Sequence, residues 1–306
     1  MNVYKKYLSV LLPLAASFFV FKTVAQESIG FAVSPPTFEL SANPGDTLSN
    51  VVRVENLSDS ELTIEMDTRN FTAYGEEGAV GLTDEEGGFS LASWIEVPPT
   101  QEVIQPRSNK LIGFKVNIPN NAEPGGHFGS IVFRVVNSKT VDGSGAALSQ
   151  EIGALVLLRI AGDTTETAEI LDFKPENTFN EYGPVSFDVR IKNEGNVHVK
   201  PQGGVVIVDF FGRKVANVDI SPKNVLPGAV RKIPLSWDRK LLFGKFTATT
   251  SLVYGSENKI LTASTTFFVI PYKLAGGVLL GVSIVFLFFY RARKRLKMAF
   301  KVLFGK

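Results

Sequence analysis

The sequence predicts an all-β fold of two tandem Ig-like β-sandwich domains plus one C-terminal transmembrane helix. Two stretches, residues 61–67 and 185–192, alternate apolar and polar side chains, as strands with one buried face do. Turn residues separate such stretches at the spacing typical of β-sandwiches. A third stretch, residues 274–290, contains no charged residue.

The apolar stretch near the C-terminus predicts a membrane span over residues 271–290. At about 1.5 Å per residue, 17 helical residues reach roughly 25 Å, close to the thickness of a bilayer's hydrocarbon core. The last sixteen residues hold seven Lys or Arg and no acidic residue. Basic residues stay on the cytoplasmic side, which predicts a single-pass type I protein of the cell membrane with a cytoplasmic tail at 291–306. A buried core helix with a solvated basic tail is the alternative.

The N-terminus predicts a signal peptide over residues 1–25. Lys5 and Lys6 precede an apolar stretch at 8–21, and small residues precede a cleavage site before Gln26. A retained N-terminal membrane helix is the alternative.

Composition narrows the compartment and the partners. The sequence has no cysteine, whereas secreted eukaryotic chains of this size usually carry disulfides, so a bacterial surface is favoured. All 30 acidic residues lie between the two basic ends. The acidic ectodomain argues against a nucleic-acid partner.

The first domain is predicted over residues 26–162. A turn at 43–46 precedes a strand that ends at Asn56, and alternation predicts a further strand at 110–118. The Gly-rich and acidic residues 74–88 predict a loop, and residues 90–95 one short helical turn. Two more strands are predicted at 127–136 and 152–160.

The second domain is predicted over residues 163–270, and it repeats features of the first. The segment 52–56 matches 189–193, each ending in Asn before a polar turn. Aligning Pro106 with Pro227 places the inward residues of one strand against those of another, with Ile112 opposite Ile233. Matching turns and inward positions predict two copies of one sandwich; shared strand chemistry without common origin is the alternative.

Four segments of the first domain carry a family resemblance. They are Ser34-Pro35-Pro36, the Pro44-Gly45 turn, Val52-Arg53-Val54-Glu55-Asn56, and Pro124-Gly125-Gly126-His127-Phe128-Gly129-Ser130-Ile131. The pattern resembles the N-terminal domain of WxL-interacting proteins, and the strand-Asn-turn pattern is also similar to Ig-like modules of pilus chaperones. The first resemblance implies noncovalent binding to peptidoglycan and scaffolding of surface proteins. The second domain is shorter than that family's host-binding domain.

Nothing in the sequence indicates an enzyme, a cofactor or a metal site. The chain has two histidines, no cysteine and no Gly-x-Ser-x-Gly motif. The acidic residues of 75–88 lack the spacing of a calcium loop, so a solvated hairpin tip is favoured over calcium binding.

A binding surface is predicted in the first domain. Trp94 could stack on a sugar ring, and His127 with Phe128 could offer a polar donor and an aromatic face to a glycan. The glycines beside His127 permit close approach. The alternative is a shaped turn with Phe128 in the core. The candidate residues are Trp94, Pro124, Gly125, Gly126, His127, Phe128 and Gly129.

The basic tail predicts contact with anionic lipid of the inner leaflet, either as an amphipathic helix or as a disordered segment. Its candidate residues are Arg291, Arg293, Lys294, Arg295, Lys297 and Lys301.

Three functions remain open at this point. The first is a surface scaffold whose first domain binds peptidoglycan or another wall polymer. The second is an assembly or accessory protein that binds a surface protein through exposed strand edges. The third is an accessory subunit of a membrane enzyme or transporter.

Overall fold

The computed structural model describes residues 30–136 and 151–304, with only the helical backbone described for 294–304. The predicted signal peptide at 1–25 lies outside the described residues. Within them the chain forms two β-sandwiches and one C-terminal helix. The predicted fold class is therefore confirmed.

The first sandwich consists of two antiparallel-rich sheets. One sheet has the strand order β1-β3-β8-β6, and the other has the order β2-β10-β9-β4-β5, with β7 paired to β4. The strands are β1 (Phe31–Ser34), β2 (Thr37–Ala42), β3 (Thr47–Asn56), β4 (Leu62–Tyr74), β5 (Ala79–Thr83), β6 (Ile95–Glu96), β7 (Glu102–Ile104), β8 (Asn109–Asn117), β9 (Gly125–Val135) and β10 (Glu151–Ile160).

The second sandwich repeats this plan. One sheet has the order β11-β13-β16 and the other β12-β18-β17-β14-β15. The strands are β11 (Ala168–Pro175), β12 (Phe179–Asn180), β13 (Val185–Asn193), β14 (Gln202–Asp209), β15 (Lys214–Ile220), β16 (Val230–Trp237), β17 (Gly244–Tyr254) and β18 (Lys259–Val269).

The register supports the predicted repeat. Val52 pairs with Ile112 across β3 and β8, and Val189 pairs with Ile233 across β13 and β16, as the sequence alignment of the two units requires. In each sandwich, the first strand pairs antiparallel with one sheet. The next strand then pairs parallel with the last strand of the other sheet.

Two buried asparagines hold corresponding corners of the sandwiches. The Asn56 amide donates to the backbone oxygens of Ser60, Ile104 and Gln105, and its oxygen accepts from Ser58. Asn193 is fully buried too. It donates to the backbone oxygens of Val197 and Val225 and accepts from the Gly195 amide. The strand-Asn-turn pattern thus marks a strand end whose loop is tied back to the sheet.

The cores follow from period-2 patterning. In β13, residues from Val185 to Ile191 alternate buried and half-buried, and Trp237 packs in the same core with 5% of its surface exposed. Burial of such a row supplies most of the driving force for folding. Trp237 is therefore a core residue.

The segment 74–88, predicted as a loop, contains a strand. Residues Ala79–Thr83 pair with β4 and form a hairpin whose tip carries Glu76 and Glu77. Glycines and acidic residues interrupt the alternation on both sides of this strand, which is why the sequence alone indicates a loop. The helical turn predicted at 90–95 is present as a 3₁₀ turn at Ala92–Trp94.

A single long helix, α1 (Tyr272–Phe304), follows β18. Its stretch Tyr272–Arg293 is apolar enough and long enough to cross a membrane, and none of its most apolar part is buried against the protein. The helical backbone continues past residue 290 into the predicted basic tail. The side chains of Lys294, Arg295, Lys297 and Lys301 lie outside the described residues, whereas Arg291 and Arg293 follow the span on the helix.

Candidate functional site

The predicted binding residues separate into two places. Trp94 and His127 lie together, with ring centroids 4.5 Å apart. They line a groove of about 340 Å³ with Glu86, Ser90 and Glu123. We call this the Trp94 groove. The indole is half-buried, because one side packs on the core of the first sandwich.

The His127 side chain is fixed in place by hydrogen bonds to the backbone. Its Nδ1 lies 3.1 Å from the backbone oxygen of Ser90, and its Nε2 lies 2.9 Å from that of Glu123. Only 4% of its surface is exposed. The imidazole therefore positions the groove wall, and the exposed part of Trp94 is the aromatic face that a ligand could reach.

Of the other predicted residues, Gly125, Gly126 and Phe128 belong to the contact between the sandwiches. Gly129 instead lies against Leu91 and Ile95 of the first sandwich, and Pro124 lies beside Gly162. The Gly126 amide donates to the backbone oxygen of Asn196 at 2.8 Å. Phe128 is buried beside Phe71 and Leu157, and its ring meets the edge of His198 at 5.9 Å. The ring of Phe128 is thus covered by the second sandwich.

The hairpin tip of β4 and β5 also reaches the second sandwich. The Glu76 carboxylate accepts two hydrogen bonds from the Arg190 guanidinium, and the Lys232 amide donates to the Glu76 backbone oxygen at 2.8 Å. The Arg190 guanidinium holds the pKa of Glu76 below its ordinary value. Glu77 lies 3.6 Å from Lys232 Nζ. The acidic tip therefore joins the two sandwiches, a role that its local sequence did not indicate.

A cleft of about 320 Å³ lies between the sandwiches. Its floor is apolar, with Phe71, Val80 and Leu157 from the first sandwich. Lys223 and Arg231 line the opposite side, and neither has an ion-pair partner within 30–136 and 151–304. The Arg231 Nε is buried with no hydrogen-bond partner there. The cleft is chemically suited to an anionic group on an apolar segment.

A third candidate surface is the free edge of β18. This strand pairs with β17 along its whole length, from Lys259 to Val269. On its other side β12 pairs with only Phe268 and Val269. Strand β11 runs beside it in the facing sheet and does not pair with it. We call the unpaired part, residues 259–267, the β18 edge.

The described residues contain no cluster of three or more His, Asp or Glu side chains that could hold a metal ion. Glu76 is used in its ion pair with Arg190, which leaves the acidic tip without a preassembled set of oxygen ligands.

Comparison with solved structures finds chaperones of similar architecture. The class 5 fimbriae chaperone CfaA is 15% identical, with 78% of this chain and 99% of that chain covered and a TM-score of 0.40. The Pseudomonas aeruginosa chaperone CupB2 is 9% identical, with 78% and 100% covered and a TM-score of 0.37. The E. coli chaperone DraB is 8% identical, with 78% and 97% covered and a TM-score of 0.35.

No protein-family model matches the chain, and no curated protein matches it. At these identities and TM-scores, the likeness to the fimbrial chaperones says nothing about function. The resemblance to WxL-interacting proteins accordingly stays a prediction.

Proposed function

We propose that this chain is a membrane-anchored protein of the bacterial surface that binds another protein by strand addition to the β18 edge. The observation that carries the proposal is the long unpaired edge of β18. The anchor is α1, and the basic residues after its span favour a cytoplasmic C-terminus and an exterior position for both sandwiches.

The free groups of this edge are defined by the hydrogen bonds at its end. The Phe268 amide donates outward to Thr178 at 2.8 Å, and the Ile270 amide donates to Asn180 at 2.9 Å. Since backbone groups alternate sides along a strand, the amides and carbonyls of Thr262, Ser264 and Thr266 point to the same open side.

Apart from Lys259 at its start, the β18 edge lacks the charges and prolines that protect other edges. From Ile260 to Val269 it contains neither a charged residue nor a proline. The edge strand β16, in contrast, contains Pro234, and its Lys232 amide is taken by Glu76. Natural proteins usually blunt exposed edges with charges, prolines or cover. An edge left bare for this length is suited to a partner's strand.

The repeat strengthens this inference. In the first sandwich, β2 pairs with β10 at six positions from Leu155 to Ile160, and so covers the last strand. In the second sandwich, β12 covers β18 at two positions only. The same fold therefore has its last strand paired with the second strand over most of its length in one copy and only at its end in the other.

The test uses the full chain in its own membrane, with a photo-crosslinking residue at Thr262. We expect a discrete adduct with a protein partner. Ser264→Pro removes an outward amide and should abolish the adduct. Ser264→Ala is the matched control, because it loses the same hydroxyl contact to Thr249 and keeps the amide. Equal adduct yields from the two variants, both folded by circular dichroism, would reject the β18 edge as the binding site.

A second candidate is glycan binding at the Trp94 groove, which the closeness of Trp94 and His127 favours. An exposed aromatic face beside carboxylates suits stacking on a sugar ring. Co-sedimentation of the detergent-solubilised chain with purified wall sacculi tests this. Salt-resistant retention that Trp94→Ala removes and Trp94→Phe keeps would support a wall polymer as ligand, and no retention would reject it.

A further inference from the structure

The end of the second sandwich from which α1 emerges carries two exposed loops. In the sheet register, Gly244 at the start of β17 pairs with Val269 at the end of β18. Phe246 on β17 pairs with Asp209 at the end of β14. The loop between β14 and β15, residues 210–213, and the loop between β16 and β17, residues 238–243, therefore lie at the same end as the start of α1.

These loops carry the four most exposed large apolar side chains of the described residues. Phe210 and Phe211 are 72% and 77% exposed, and Leu241 and Phe243 are 81% and 77% exposed. Turns are normally polar, because apolar tips lose free energy when they contact water. Four such side chains at one end form an apolar patch that requires an explanation.

Cationic residues lie within and next to the two loops. Arg213 lies over the Phe211 ring at 5.2 Å and pairs with Asp209. Further cations flank the two loops, and none of them forms an ion pair in the described part of the chain. They are Lys214, Arg239, Lys240 and Lys245. Apolar loop tips flanked by cations suit the boundary between the acyl chains and the phosphate headgroups of a bilayer.

The start of α1 places these loops at the membrane surface. Only Ile270 and Pro271 separate β18 from α1, and Lys273 at the helix start pairs with Glu181 of the sandwich at 2.7 Å. The span Tyr272–Arg293 is 22 residues, or about 33 Å of helix, which matches the hydrocarbon thickness. Tyr272 therefore lies at the exterior interface, and the sandwich end is at the same level.

We propose that residues 210–213 and 238–243 insert their apolar tips into the exterior leaflet of the membrane that α1 spans. This inference rests on the proposed membrane anchor and goes beyond it, because it gives the ectodomain a second lipid contact. Phe211, Leu241 and Phe243 enter the interface, and the surrounding cations contact lipid phosphates. A lipid surface is favoured over a protein because the patch lies at the end of the sandwich from which the span emerges and cations flank both loops.

The test exploits the absence of cysteine from the sequence. Single cysteines in the full chain are labelled with an environment-sensitive fluorophore, and the protein is reconstituted in vesicles of phosphatidylcholine and phosphatidylglycerol. Lipids that carry a shallow nitroxide quench labels at the interface. Leu241→Cys reports on the patch, and Val282→Cys, with a deeper nitroxide lipid, reports on the span.

Ile260→Cys is the matched control. Ile260 is 66% exposed and lies on the same strand as Val269, nine residues and about 30 Å away. We expect the Leu241 label to shift to the blue and lose most of its emission to the shallow quencher, while the Ile260 label does neither. Adding Phe211→Asp and Phe243→Asp should remove quenching of the Leu241 label and leave that of Val282 unchanged.

The outcomes separate the two proposals. Quenching at Val282 without quenching at Leu241 would leave the anchor intact and overturn the insertion of the loops. A blue shift at Leu241 without lipid quenching would assign the patch to a protein contact, which also overturns it. Absence of quenching at Val282 would overturn the anchor and the loop insertion together.

Discussion

The carboxylate of Glu76 and the guanidinium of Arg190 join the two sandwiches across 114 positions of sequence, with Arg190 Nε 2.7 Å from Glu76 Oε2. Together with the Gly126 amide on Asn196, this pair fixes the second sandwich against the outer face of the first. The two sandwiches therefore form one assembly whose inter-sandwich contacts can be altered individually.

We expect Glu76→Gln to weaken the contact between the two sandwiches. The neutral amide cannot satisfy both guanidinium donors as the carboxylate does. Spin labels at Leu111→Cys and Ile260→Cys, one exposed site in each sandwich, should show a broader distance distribution in the variant. Glu77→Gln is the control, since Glu77 is more exposed and lies 3.6 Å from its cation. Equal broadening in both variants would contradict the role of Glu76.

Gly125→Ala should destabilise the protein by about 1 kcal/mol or more, since Gly125 has φ +134 and an added Cβ would lie 3.0 Å from the Asn196 oxygen. Gly113→Ala provides the comparison, because its Cβ would meet no atom within 4 Å. Thermal unfolding should therefore separate the two variants. An unchanged midpoint for Gly125→Ala would show that this backbone is not strained by a side chain.

Asn193→Ala should cost roughly 3 kcal/mol, because it leaves the buried backbone oxygens of Val197 and Val225 and the Gly195 amide without their partner. Asn56→Ala should have a similar effect in the first sandwich. The exposed Asn109→Ala controls for loss of an amide side chain. Denaturant titration measures the free energy of unfolding of each variant. A loss of stability no larger than that of Asn109→Ala would refute the role of these asparagines at the strand ends.

Acidification should weaken the fold through His198. Burial lowers the pKa of this imidazole below its ordinary 6.5. The unfolded chain then binds the proton more readily, so stability is complete above about pH 6.5 and falls as the pH drops toward the lowered folded pKa. His198→Gln should flatten this part of the profile of melting temperature against pH. Identical slopes for the variant and the wild type would contradict this assignment.

A second acid-dependent loss belongs to Glu76. Its pKa is lowered by Arg190, so its contribution is present above the ordinary carboxyl value and disappears as the pH falls through the lowered one. In Glu76→Gln, the broad distance distribution should therefore be insensitive to pH, while the wild type should broaden only in acid. The same spin-label pair measures both.

Much of the fold follows from local patterns. Alternation located strands such as β13, and the matching of residues 52–56 with 189–193 anticipated two asparagines with the same structural role. The span was visible as an uncharged stretch. These features are set by neighbours in sequence, which is why a single sequence reveals them.

The candidate surfaces were less predictable, because distant residues form them. The glycines of residues 124–129 suggest that another group approaches this backbone closely, and one does. That group is the backbone of Asn196, which accepts from the Gly126 amide and is distant in sequence. Nothing near Glu76 in sequence indicates Arg190. One local signal does indicate such a surface: apolar residues within a turn, as in Asp209-Phe210-Phe211-Gly212-Arg213, indicate an exposed patch.

The direct connection of β18 to α1 has a mechanical consequence. Tension between the first sandwich and the membrane enters the second sandwich at Ala168 and leaves it at Val269. These points lie at opposite ends of two strands that run side by side, β11 and β18. The load acts in shear on the seven pairs that join β11 to β13 and on the eleven pairs that join β18 to β17. In the proposed membrane-anchored arrangement, the second sandwich would therefore resist pulling through its paired strands.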